Sequence, residues 1–104
     1  MQDAAKAELI EITDYLTRNA PWYAERVIQD IKTRVCSLCD FPYRGKPASL
    51  PILSNSEIRV IALSRYILYY RVFEDKSEVH IYHVIHSAQS DAAILRRFKQ
   101  DMEE

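Results

Sequence analysis

Residues 58–86 read IRVIAL-SR-YILYYRVF-EDKSE-VHIYHVIH, and this stretch decides the fold. It holds three runs rich in β-branched and aromatic residues, Ile58–Leu63, Tyr66–Phe73 and Val79–His86. Such residues fit a pleated, half-buried surface. Ser64-Arg65 is a two-residue hairpin turn, and the charged segment 74–78 makes the second connection. Connections this short force antiparallel pairing, so the three runs form a meander. In the middle run Tyr66, Leu68, Tyr70 and Val72 point one way, and Ile67, Tyr69 and Phe73 the other. Both sets are apolar. A strand wet on one side would alternate more cleanly, so something covers each face.

The residues before the meander supply one cover. Asp3 can cap a helix running to about Arg18, with Ala5, Leu9, Ile12 and Leu16 in one stripe. Asn19-Ala20-Pro21 ends it, because the residue before proline avoids the helical region. Pro21 suits the first turn of a second helix, whose stripe is Ala24, Ile28, Ile31, Val35 and Leu38. So short a joint makes an antiparallel helical hairpin. Ile10 and Trp22 point away from the stripes. Residues 40–57, with three of the four prolines and the only glycine, Gly45, read as a long loop. After the meander, Ser90 or Asp91 caps a last helix that places Ile94, Leu95, Phe98 and Met102 on one face. The expected architecture is α+β: a helical hairpin on a three-strand antiparallel meander, with a C-terminal helix. The 104 residues suit a single domain spanning 1–104.

Composition excludes several functions. The formal net charge of −1 lacks the basic excess usual in a phosphate-gripping nucleic-acid module. No apolar run approaches the length of a membrane span, and Met1-Gln2-Asp3 does not open a signal peptide. A cytoplasmic protein is expected. One glycine rules out a phosphate-cradling glycine loop. Cys36 and Cys39 form a single Cys-x-x-Cys, short of the four ligands of a zinc site, and read as helix thiols. On a regular strand His80 and His86 share a face and His83 takes the other, so the three make no metal centre. No metal or cofactor is expected. Arg59, Arg65, Arg71, Tyr69, Tyr82 and His86 are the candidates for a polar patch on the sheet. In it, His86 and Tyr82 would supply acid and base, and Arg59 and Arg71 the charge, for cleavage of RNA. The simpler reading has these side chains snorkelling over a half-buried sheet.

Several segments together resemble the RelE/ParE toxins. Ala5-x-x-Glu8-Leu9-x-Glu11-Ile12-x-Asp14-Tyr15-Leu16 is similar to their first helix. Asn19-Ala20-Pro21, Ala24, Leu38, Pro42 and Gly45 are similar to their second helix and the loop after it. Tyr66-x-Leu68-x-Tyr70-Arg71-Val72 and Val79-x-Ile81-x-x-Val84-Ile85-His86-Ser87-Ala88 resemble their last two strands. The resemblance implies a toxin of a type II toxin–antitoxin pair, of the kind associated with plasmid stabilisation. The ending Val84-Ile85-His86-Ser87-Ala88 looks more like the ParE branch, which poisons DNA gyrase, than the RelE branch, which cleaves mRNA on the ribosome. Ile67 and Gln89 stand where RelE-like chains carry basic residues. Gln89-Ser90-Asp91 departs from the usual ParE ending, and the family's opening strand is not evident before the first helix.

The resemblance also implies partners: a cognate antitoxin, DNA gyrase as target, and a homodimer or toxin–antitoxin hetero-oligomer. Tyr69, Arg71, His86, Leu95 and Phe98 are the expected partner-binding residues. The C-terminal helix is expected to serve gyrase poisoning, and to be removable after Asp91 without unfolding the core.

Overall fold

The structure, a computed structural model, describes residues 3–48, 57–63, 65–88, 92–94 and 96–98. Helix α1 spans Asp3–Asn19 and α2 spans Pro21–Asp40. Pro21 takes the first helical position as its fixed φ allows, and Ala20 alone separates the helices. Strands follow at Lys46–Pro47 (β1), Arg59–Leu63 (β2), Tyr66–Phe73 (β3) and Glu78–His86 (β4), with a 3-10 turn at Glu74–Lys76 before β4. The sheet is antiparallel throughout in the order β1-β2-β3-β4. Residues 92–94 and 96–98 are helical. The α+β architecture is as expected, with one addition. The loop expected over 40–57 contains β1, two residues that pair Lys46 with Val60 and Pro47 with Arg59. Proline is tolerated there because the strand is an edge.

Two apolar clusters sandwich the sheet. On one face, Ile61, Leu63, Tyr66, Leu68, Tyr70, Ile81 and Val84 pack against Ala5, Leu16, Ala24, Val27, Ile31 and Leu38 of the helical hairpin. On the other, Ile58, Tyr69 and Ile85 pack against Ala48 and against Ile94 and Phe98 of the C-terminal segment. The two-sided apolar pattern of β3 is thus explained: each face has its own cover. The α2 stripe is rotated slightly from expectation, with Val27 fully buried and Ile28 only partly. Ile10 and Trp22 do point outward, 62% and 81% exposed.

One departure changes the site. Tyr69 pairs with His83 but Tyr70 pairs with Ile81, so Tyr82 is an extra residue, a β-bulge in β4. Strict alternation fails across it. His86 lies opposite Tyr66, on the helical-hairpin side, whereas His80 lies opposite Arg71 on the other. The expectation that His80 and His86 share a face is therefore corrected. So is the pairing of His86 with Tyr82, which packs against the second cluster.

Gly45 is placed by contact. Its N–H donates to the Tyr70 phenol oxygen at 2.9 Å, and that phenol donates to the Pro42 carbonyl at 2.8 Å. Tyr70 is fully buried, so one hydroxyl satisfies a backbone donor and a backbone acceptor and pins the chain after α2 to the sheet.

Candidate functional site

The residues expected to act together are spread over three places. Arg59 and Arg71 line an open cleft of about 570 Å³ at the β1 end of the sheet. Arg59 is committed to the backbone: its Nη2 donates to the carbonyls of Gly45 at 2.8 Å and Tyr43 at 3.2 Å. Arg71 pairs with Glu57 at 3.0 Å and lies over the Phe73 ring at 4.5 Å. Its buried Nε has no hydrogen-bond partner among the described residues. The same cleft carries Glu57, Glu74 and Asp75. Three carboxylates against two engaged guanidiniums do not favour a phosphodiester. The Tyr43 phenol, hydrogen-bonded to Glu74, is held above the usual tyrosine range by that bond and by desolvation.

His86 is elsewhere. It meets Tyr66 edge to face, with ring centres 5.3 Å apart, in a cleft between the α1–α2 joint and the β2–β3 turn. Burial pushes the Tyr66 phenol up from its usual value near 10, the neighbouring Tyr23 and Tyr15 phenols add to this, and Arg65 opposes it. Between the ordinary tyrosine value and the higher folded one, the folded chain binds more protons than the unfolded chain. Stability is then expected to fall as pH rises past about 10. Thermal melts from neutral to alkaline pH test this. The wild type should lose stability more steeply than Tyr66→Phe, and equal slopes would refute it.

Tyr69, Tyr82 and Phe98 form the third place. Phe98 packs edge-on to Tyr69 at 5.4 Å and to Tyr82 at 6.5 Å. Tyr69 is 4% exposed and Phe98 8%, so each is largely covered by its neighbours. Leu95 and Gln89 lie outside the described residues.

Beside this seam is a polar cluster that the sequence did not reveal. Glu8 of α1 is 7% exposed. Its carboxylate accepts the Val84 N–H at 3.0 Å and Arg97 Nη1 at 2.6 Å, and His83 Nδ1 lies 3.1 Å from both oxygens. Phe98 covers the His83 ring at 4.6 Å. β4 has no strand beyond it among the described residues, so a carboxylate from α1 satisfies a backbone donor on that edge. One buried anion thereby joins α1, β4 and the C-terminal segment. The available sequence signal was a glutamate three residues after Ala5, inside the apolar stripe. Among the described residues no group of His, Cys, Asp and Glu could hold a metal ion. Among them, too, no helix is long and apolar enough to cross a membrane.

The geometry is thus that of a domain whose buried and paired charges serve as structural ties, on the α+β frame that the RelE/ParE resemblance implied. A family model described as the ParE toxin of type II toxin–antitoxin systems, parDE, matches residues 1–91. No curated protein matches the chain. The chain belongs to the ParE toxin family: it is a toxin of a type II toxin–antitoxin system, and the family implies an antitoxin as its partner.

Proposed function

We propose that this toxin acts inside the cell by binding DNA gyrase, that a cognate antitoxin neutralises it, and that it is not an enzyme. The observation that supports this most is the dispersal of the four residues named for RNA cleavage, His86, Tyr82, Arg59 and Arg71. Phosphodiester cleavage requires acid, base and positive charge to converge on one phosphate. Here His86 sits on one face of the sheet and Tyr82 on the other, while Arg59 and Arg71 occupy a cleft richer in carboxylates. With these four apart, the toxin acts through surface complementarity. Its large exposed side chains, Ile10, Tyr15, Trp22, Phe41 and Tyr43, are suitable anchors.

The test uses purified toxin in two assays, DNA supercoiling by gyrase and cleavage of ribosome-bound mRNA. Supercoiling should be inhibited and restored by the co-expressed antitoxin, with mRNA intact. Cleavage that vanishes in His86→Ala, with supercoiling unaffected, would reverse the assignment. Truncation after Asp91 is a poor probe of the target, because it removes Ile94, Arg97 and Phe98 from the core and the Glu8 cluster.

A further inference from the structure

The cleft holding His86 shares one residue, Tyr15, with the surface anchors named above. Its volume is about 520 Å³, within the range of small-ligand sites. Tyr15, Tyr23, Tyr66, His86, Arg65 and Glu11 line it. Three kinds of observation point to one ligand chemistry. First, the walls are aromatic, and Tyr15 is 63% exposed, leaving a ring available for stacking. Second, donors outnumber acceptors. The Ala88 N–H donates to His86 Nδ1 at 3.0 Å, so the imidazole proton resides on Nε2. The Arg65 guanidinium forms no ion pair among the described residues, and the Ser87 N–H holds the Arg65 carbonyl at 2.8 Å beside the end of β4. Glu11 is the one carboxylate in the lining. Third, Ala20 lines the cleft where α2 begins, and that helix has no side-chain cap. The positive end of its dipole favours an anion there.

We propose that this cleft binds a nucleotide, with the base stacked on Tyr15 and the phosphate between Arg65 and Nε2 of His86. A flat ring joined to an acceptor-rich anion matches both the aromatic wall and the excess of donors. The proposal does not rest on gyrase binding, and its test does not involve gyrase.

The full chain is titrated with adenosine monophosphate, adenosine and inorganic phosphate, each followed by calorimetry and by the NMR signals of the His86 ring. Adenosine monophosphate should bind with a dissociation constant of roughly 1 mM or below, and shift the His86 signals. Adenosine and phosphate should each bind at least about tenfold more weakly. Arg65→Ala, which removes a charge-assisted bond, and Tyr15→Ala, which removes the stacking ring, should each weaken binding about tenfold. Both positions are exposed, so the fold should survive, as circular dichroism would verify. Trp22→Ala, outside the cleft lining, should bind as the wild type does. No binding at about 5 mM, unmoved His86 signals, equal affinity for adenosine, or undiminished binding in Arg65→Ala would overturn the proposal.

Discussion

Glu8→Ala is expected to destabilise the fold by about 3–5 kcal/mol, the usual cost of removing one member of a buried charged cluster. The substitution leaves the Val84 N–H on the β4 edge without its acceptor, and it strips His83 and Arg97 of their common partner. Alanine's helix propensity returns only a few tenths of a kcal/mol. For a chain of this size the loss is a large fraction of total stability, and the melting temperature should drop by more than about 10 °C. Glu8→Gln keeps an oxygen for Val84 but loses the charge facing Arg97, whose side chain is 37% exposed. It should cost less, about 1–2 kcal/mol. Urea denaturation of the three proteins gives the comparison. If Glu8→Ala fell within about 1 kcal/mol of wild type, the cluster would not be the tie described.

Gly45→Ala should be the second large effect, at about 1–3 kcal/mol. A β-carbon at residue 45 would lie 2.6 Å from the Tyr70 hydroxyl and 2.7 Å from the Val60 carbonyl oxygen. The second contact is with sheet backbone, which cannot swing aside. Tyr70→Phe removes the nearer contact but also the hydroxyl that holds Gly45 N–H and the Pro42 carbonyl. The two substitutions act on one atom, so the double variant should lose less than the sum of the singles. Simple additivity in a double-mutant cycle would mean that the hydroxyl contact does not limit residue 45.

The parts of this fold that were legible in the sequence depend on local period. Tyr66–Phe73 emerged with its bounds and both faces correct because each residue repeats at period two. The break at Ala20 was legible because Pro21 forbids continuation of α1. What escaped depends on distant partners. The bulge at Tyr82 has no glycine or proline to announce it, yet it turns His86 to the opposite face from the one alternation assigns. Glu8 reads as an ordinary helix glutamate until Arg97, 89 residues away, is beside it. The two-residue strand β1 is too short to show a period, and tertiary contacts, with Arg59 and Tyr70 holding Gly45, place it. The C-terminal segment looked separable because its apolar face is legible but its landing place on Tyr69 and Ile85 is not.

Trp22 is the sole indole of the chain and stands 81% exposed at the start of α2. Its fluorescence is therefore a poor witness to unfolding, since the ring is nearly as wet in the folded chain as in the coil. The same property makes it a sensitive witness to company. When a larger molecule covers that helix start, the emission should move to the blue and the quencher iodide should lose access. Mixing toxin with candidate partners in a cuvette would then reveal contact without labels, immobilisation or a toxicity assay.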